Sequence, residues 1–263
     1  MAPVSLSLKH ERPEEIVPLR YELDGGTGYR LRIGLAALSG NQTTEYEFRQ
    51  LLNLSGVAFF TARLPDSVTV SPETLRETEQ HLATAVSLIL PSLPLDVVAF
   101  TCTSATIVNG EDRIFGRIQE ARPGVRCTTP ITAALAAMGA LGLKRIALLT
   151  PYMPSITVMM RDYIQDRNVA VPIMGSFNNP NDNEVARITD GSTAQAVRQL
   201  ASAGKVDGIF VSCGSLRLAG VVEELEQELG IPIFSSNTAM AWHCLRLGGC
   251  EDKVSGFGAL FQN

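Results

Sequence analysis

Residues 96–104 read DVVAFTCTS and residues 207–215 read DGIFVSCGS. Each stretch opens on an acidic residue and runs through an apolar segment of buried-strand type. Each then delivers a thiol, Cys102 or Cys213, into a loop of small residues. The thiolate is the reactive form of cysteine, and with a free pKa near about 8.5 only a few per cent is ionised at neutral pH. Backbone N–H groups at the start of a helix raise that fraction, and both loops lead towards helices. Such a thiol can serve as a nucleophile or as an acid–base group. One cysteine ending a buried strand is ordinarily inert packing. Two at matching points of a repeat call for another explanation.

Groups able to bind an anion accompany them. Ligands in open parallel sheets bind beyond the carboxyl ends of the strands. Asn41 and Tyr152 follow such ends, as do both cysteines. Thr103, Ser104 and Asn183 are further candidate donors, and Arg217 is a candidate cation. His243 is mid-helix beside Trp242 and reads as structural; His10 and His81 carry no assigned role. Cys127, Cys244 and Cys250 lack a paired context, and no cysteine pair has zinc-type spacing. No GxSxG elbow and no phosphate-cradling glycine motif occurs, so neither a Ser-His-Asp hydrolase nor NAD, ATP or flavin is expected, and no cofactor is assigned.

Strands are predicted at 31–38, 57–64, 95–101, 126–129, 145–149, 169–176, 208–211 and 231–235. Helices are predicted at 44–53, 71–90, 109–120, 130–141, 155–166, 192–203, 218–229 and 237–247. Ser71, Pro72 and Glu73 form a helix start, and Gly142 and Gly230 helix stops. The tail at 254–262 reads as a short strand or a return strap. Strands alternating with helices imply parallel sheets. Residues 125–143 (VRCTTPITAALAAMGALGL) and 231–249 (IPIFSSNTAMAWHCLRLGG) repeat a strand, a Thr/Ser turn and a helix. The expected fold is α/β: two pseudo-twofold-related Rossmann-like lobes, each a parallel sheet flanked by helices, with the active site in the cleft between them. Residues 1–29 form an N-terminal arm, 30–130 with 238–263 the first lobe, and 131–237 the second.

The chain of 263 residues, 45% hydrophobic, is long enough to bury a core without disulfides. Its net charge of −5 gives no reason to expect nucleic acid or an anionic membrane surface. No apolar run approaches the roughly 20 residues of a membrane span. Five cysteines, an odd number, point to a reducing, cytoplasmic setting. A homo-oligomer, dimer or tetramer, is expected, with the arm packing on a neighbouring subunit.

Residues 31–249 resemble the aspartate/glutamate racemase superfamily, in its maleate cis-trans isomerase branch, which also includes arylmalonate decarboxylases. The paired cysteine loops carry the superfamily likeness. Residues 39–45 (SGNQTTE), 150–153 (TPYM) and 182–188 (DNEVARI) are similar to that branch's segments bearing an Asn, a Tyr and a second Asn. The runs TTPITAALAAMGALG, VSCGSLR and SSNTAMAWHCLRLGG look closest to the racemase-like protein encoded with ectoine-utilisation genes. The resemblance implies cofactor-independent chemistry beside a carboxylate. It makes Cys102 and Cys213 the catalytic pair and Asn41, Tyr152 and Asn183 carboxylate ligands, with Thr103, Ser104, Gly214 and Ser215 completing the pocket. The activity implied is that of a racemase or isomerase of a small carboxylate, with an ectoine-derived amino acid as one candidate substrate. Maleate isomerisation and arylmalonate-type decarboxylation are alternatives, the latter disfavoured by the presence of both cysteines. A small-acid-binding regulatory module is the non-enzymatic alternative. Glutamate and aspartate racemases commonly follow their cysteines with Asn-Thr and Thr-Glu; this chain has Thr103-Ser104 and Gly214-Ser215 instead.

Overall fold

The computed structural model describes residues 17–65, 67 and 71–263. Two four-stranded parallel sheets carry the chain. Strands β1 (Leu31–Leu38), β2 (Val57–Leu64), β3 (Val97–Phe100) and β4 (Arg126–Thr128) form the first, in the order β2-β1-β3-β4. Strands β5 (Arg145–Thr150), β6 (Ala170–Ser176), β7 (Gly208–Val211) and β8 (Ile233–Ser235) form the second, in the order β6-β5-β7-β8. The order is the same in both, so β3 and β7 occupy equivalent central places. Both are buried at all four positions, as strands covered by helices on each face must be.

The acidic residues that open the two cysteine stretches clamp the register at those places. Asp96 Oδ2 accepts the Arg32 N–H at 2.7 Å, and Asp207 Oδ2 accepts that of Lys144 at 3.0 Å. Each ties the start of a central strand to its neighbour. Cys102 and Cys213 consequently leave their sheets at the same offset, two residues beyond the last strand residue.

The helices of the first half are α1 (Thr44–Leu51), α2 (Pro72–Glu77), α3 (Leu82–Ser87), α4 (Thr103–Asn109), α5 (Glu111–Ala121) and α6 (Pro130–Ala140). Those of the second are α7 (Pro154–Gln165), α8 (Asp182–Val185), α9 (Asp190–Ser202), α10 (Val222–Leu229) and α11 (Ser236–Leu247). Capping explains several starts. The Thr129 hydroxyl accepts the Thr132 N–H at 3.3 Å, with Pro130 at the first helical position of α6. Ser235 and Thr238 form a reciprocal capping box at α11. Gly142 and Gly230 end helices at positive φ, 67° and 69°.

The single helix predicted at 71–90 is three pieces: α2, a 3₁₀ turn over Thr78–His81, and α3. The tight turn coincides with the burial of Glu79, whose carboxylate meets Arg113 and, at 3.9 Å, Arg117. The helix predicted at 109–120 is preceded by α4, and Gly110 at φ +86° separates the two. The 254–262 tail is a strap: the Val254 N–H donates to Phe261 O at 3.2 Å, and a 3₁₀ turn spans Ala259–Gln262. Of the arm, residues 17–29 form neither helix nor strand, and Val17, Leu19, Tyr21 and Leu23 are exposed; residues 1–16 lie outside the described residues. No helix among the described residues is long and apolar enough to cross a membrane.

Candidate active site

A cavity of about 50 Å³ opens at the carboxyl ends of β1, β3, β5 and β7, and both cysteines line it. The rest of its wall includes Asn41, Thr101, Thr103, Ser104, Tyr152, Asp182, Gly214 and Ser215, closed on one side by Leu38, Thr74, Leu75 and Thr78. A space that small suits a ligand of a few heavy atoms. Among the described residues no lysine, arginine or histidine lines it. Nor, among the described residues, do any three of His, Cys, Asp and Glu converge in a way that could hold a metal ion.

The two thiols have unequal surroundings. Cys102 is the N-cap residue of α4, and its Sγ accepts the Ala105 N–H at 3.4 Å, with Ser104 Oγ at 3.7 Å. Cys213 lies in no helix. Its φ is +142°, a region that non-glycine residues adopt only under strain of about 1–3 kcal/mol. The surrounding bonds hold it there. Ser236 Oγ accepts the Cys213 N–H at 3.1 Å and is 3.2 Å from Thr103 Oγ1, linking the two cysteine loops directly. Cys213 Sγ accepts the Ser215 N–H at 3.3 Å. Burial pushes the Cys213 thiol up to about 12, with the nearby Asp182 charge adding to the rise and bonds from Tyr152 and the Ser215 N–H opposing it. At neutral pH Cys213 is therefore a thiol and a proton donor.

Gly214 has a steric reason. A Cβ there would lie 3.1 Å from Thr44 Oγ1 and 3.3 Å from both Asn41 Nδ2 and Thr101 O. The loop is pressed against the first lobe and fastened to it. The Gly214 carbonyl accepts from Asn237 Nδ2 at 2.9 Å and from the Thr43 hydroxyl. Beneath it Glu47, 1% exposed, accepts the Leu218 and Ala219 N–H groups at 2.8 and 2.7 Å and Asn237 Nδ2 at 2.7 Å. Burial raises the Glu47 pKa and these three donors oppose the rise.

Asn41 points its carbonyl at the Thr43 and Thr44 N–H groups, at 3.2 and 3.0 Å. Its amide donates to Thr44 Oγ1 at 3.0 Å, which leaves a second amide hydrogen for a ligand. Tyr152 is 7% exposed and hydrogen-bonds to Cys213; burial first, then the two cysteines, raises its pKa well above the usual phenol value, so it stays a donor. Tyr152→Phe is expected to lower kcat/KM by about 10²-fold while leaving the melting temperature near wild type, as loss of one positioned donor does.

Asn183 is exposed and does not line the cavity; its Oδ1 accepts from Gln42 Nε2 at 2.8 Å, a contact between the loops of the two lobes. Its neighbour Asp182 lines the cavity and accepts from Ser215 Oγ at 2.9 Å. Arg217 is paired with Asp190 at 3.0 Å and is not part of the wall. His243 Nδ1 lies 2.8 Å from Thr128 Oγ1 away from the cavity lining, and burial lowers its pKa. His243→Ala should leave kcat within about twofold of wild type in steady-state assays, since it reaches no reacting group.

Sequence reasoning passed over four contributors: Asp182, Thr101, Ser236 and Glu47. Thr101 Oγ1 is buried, lines the cavity and has no hydrogen-bond partner, so a ligand is its natural acceptor or donor. A signal for Thr101 was present, because it immediately precedes Cys102 at a strand end.

The arylmalonate decarboxylase family (Amdase) matches residues 66–261. The chain is similar to an arylmalonate decarboxylase of Bordetella bronchiseptica, 32% identical over 141 residues; the match covers 53% of this chain and 59% of the length of that relative. It is also similar to a maleate isomerase of Nocardia farcinica, 29% identical over 242 residues, covering 88% of this chain and 95% of the relative. A structure of a Nocardia farcinica maleate cis-trans isomerase, a cysteine-to-serine mutant with a covalently bound succinylcysteine intermediate, shares the fold at a TM-score of 0.79 and 25% identity, over 89% of this chain and 99% of that one. With the family match extending over most of its length, on two parallel sheets that present paired cysteines to one cavity, the chain belongs to the arylmalonate decarboxylase family.

Proposed function

We propose that this enzyme is a cofactor-independent isomerase of a small carboxylate, interconverting cis and trans forms of an alkenoic acid through covalent addition of Cys102. The observation that carries the reading is the pair of thiols in one small cavity in unequal states of readiness. Both sulfurs accept a backbone N–H, but Cys102 caps helix α4, whereas Cys213 lies in no helix and is held as a thiol by burial. The likeness to maleate isomerases, one with a succinylcysteine, supports the covalent route.

The Cys102 thiolate adds to the alkene carbon β to the carboxylate, forming a C–S bond as the π pair moves onto the carboxylate. Asn41, Thr101, Thr103 and Ser104 are placed to receive the developing enediolate charge. Cys213 gives its proton to the adjacent carbon, leaving a saturated C–C bond that rotates. The Cys213 thiolate then removes a proton from that carbon, the double bond re-forms trans and the Cys102 thiolate departs. Tyr152 steadies Cys213 through both transfers. The carboxylate-binding role of Asn183 would require it to turn in from its contact with Gln42.

A second reading is racemisation, in which one thiolate removes an α-proton and the other thiol returns one to the opposite face. The observation in its favour is that the cysteines come from equivalent strands of two sheets of the same order. The runs resembling the ectoine-utilisation protein make an ectoine-derived amino acid the substrate to try first under this reading.

A panel of cis-alkenoates, amino acids and aryl malonates incubated with the enzyme in D₂O and followed by NMR separates these outcomes. Trans vinyl signals from a cis acid are the expected result. Deuterium at an α-carbon without any cis–trans conversion would move the assignment to racemisation, and loss of carbon dioxide to decarboxylation.

A further inference from the structure

We infer that residues 17–24 are an exchange strand: in a two-fold dimer the arm of each copy pairs antiparallel with the outer edge of β2 in the other copy.

The arm alternates strictly. Val17, Leu19, Tyr21 and Leu23 are interleaved with Pro18, Arg20, Glu22 and Asp24, the period of a strand with one covered face. The described residues of its own chain leave that face open, with the four apolar residues between 70% and 87% exposed. A turn separates the arm from β1: Asp24 Oδ1 accepts the Gly26 N–H at 2.8 Å, and Gly26 takes a φ of +75°. The match to the Nocardia farcinica structure covers 99% of that chain but 89% of this one, so this chain carries residues that the relative lacks.

Strand β2 offers the complement, because it is the edge strand of the first sheet. Gly56 O accepts the Leu31 N–H at 3.1 Å and Leu64 O accepts the Ser39 N–H at 2.9 Å, so even-numbered residues face β1 along an unbroken register. The backbone groups of Phe59 and Thr61 therefore point outwards, and among the described residues no hydrogen bond reaches them. Bare edges are ordinarily blunted by charge or proline. The sequence of β2 is VAFFTARL, and its one charge, Arg63, is engaged with Glu45 and the Ser39 and Asn41 carbonyls. Val57, Phe59 and Thr61 share the α1 side of the sheet, where with Leu52 they line a groove of about 550 Å³. Phe59 packs edge-on against Phe48 of α1 there.

Proline selects the direction of pairing. Pro18 has no N–H and must turn its nitrogen away from a ladder, so the odd-numbered arm residues carry the ladder bonds. Residues of one parity also share a side-chain face. Antiparallel pairing sets odd arm residues directly opposite Phe59 and Thr61, which lays Leu19 and Tyr21 over the groove. Parallel pairing through the same bonds would put those side chains on the far face. The eight residues extend roughly 26 Å, the length of β2. Each copy carries both an arm and an edge, so the exchange closes on itself with two-fold symmetry. Two such seats bury on the order of 2,000 Å², within the range of stable dimers.

Sedimentation equilibrium of the full chain, with amide hydrogen exchange on the same samples, tests this. The wild type should be a dimer at micromolar concentration. Tyr21→Pro removes a ladder N–H from each arm and should raise the dimer Kd by about 100-fold or more. Glu22→Pro turns its nitrogen outwards, as Pro18 does, and should leave the Kd within about threefold of wild type. Both positions lie in the exposed arm, so neither change touches the core. The Phe59 and Thr61 amides should exchange at least about tenfold more slowly in the wild-type dimer than in Tyr21→Pro. A monomeric wild type, a dimer indifferent to Tyr21→Pro, equal weakening by the two prolines, or unprotected Phe59 and Thr61 amides in the dimer overturns the inference. Slow exchange at those amides in a monomer would place the arm on its own chain and overturns it equally.

Discussion

Cys102→Ser is expected to lower kcat by more than about 10³-fold, with the chain still folded and still binding small acids. Serine keeps the volume and the cap at the start of α4, where Sγ accepts the Ala105 N–H, but its hydroxyl is a far poorer nucleophile at neutral pH. The loss should lie in kcat rather than KM, because the C–S bond exists only after the substrate is bound. Cys213→Ser should lower kcat comparably for a different reason. The thiol pushed up to about 12 supplies and recovers a proton, and serine cannot do so at a matched pKa. The two defects should not add in the double variant, since the thiols act as one unit. Steady-state kinetics on the single and double variants, with circular dichroism as the folding control, checks this.

Glu47→Ala is the change expected to do the most damage to the fold. It strands three buried donors, the Leu218 and Ala219 N–H groups and the Asn237 amide. At about 1–3 kcal/mol for each unsatisfied group, the loss is about 3–9 kcal/mol, or roughly 6 °C or more in melting temperature for a chain of this size. Activity should fall with it, because Asn237 also holds the Gly214 carbonyl beside Cys213. Glu47 further carries a pH signature. Its folded pKa lies above the unfolded value of 4.5, so the stability it contributes is full below that value and is lost as pH rises through the folded one. Thermal melts across that window should show this component in the wild type and not in Glu47→Gln.

The central strands β3 and β7 were legible because they carry no polar side chain and lead into small polar residues, and β1, β2 and β7 fall where the alternation of strand and helix signals put them. Helix α4 was not. Its sequence, TSATIVN, holds four β-branched residues, poor helix formers, and what makes it a helix is the Cys102 cap and the break at Gly110. The same cap bears on the reactivity of Cys102. Pairing the cysteines needed only the repeat. Asp182 was invisible as a site residue because a loop acid reads as solvated, and only the pairing with Ser215 across 33 residues turns it into the cavity. Glu47 fell within the helix predicted at 44–53 with no role assigned, since nothing local shows that the 214–219 loop of the other lobe covers it. Contacts between lobes were the hidden part: Thr43 on the Gly214 carbonyl and Thr103 on Ser236 fasten the loop in which Cys213 takes its strained conformation.

The central claim is that Cys102 and Cys213 act on one substrate from one cavity, with Cys102 forming the covalent bond. Its most direct test is mass spectrometry of Cys213→Ser after incubation with maleate and, separately, with (Z)-4-aminobut-2-enoate. The account predicts a stoichiometric adduct of one acid on the peptide containing Cys102 and none on Cys127, Cys244 or Cys250, formed with at least one of the two acids. An unmodified protein in both incubations, or an adduct confined to any other cysteine, would contradict it.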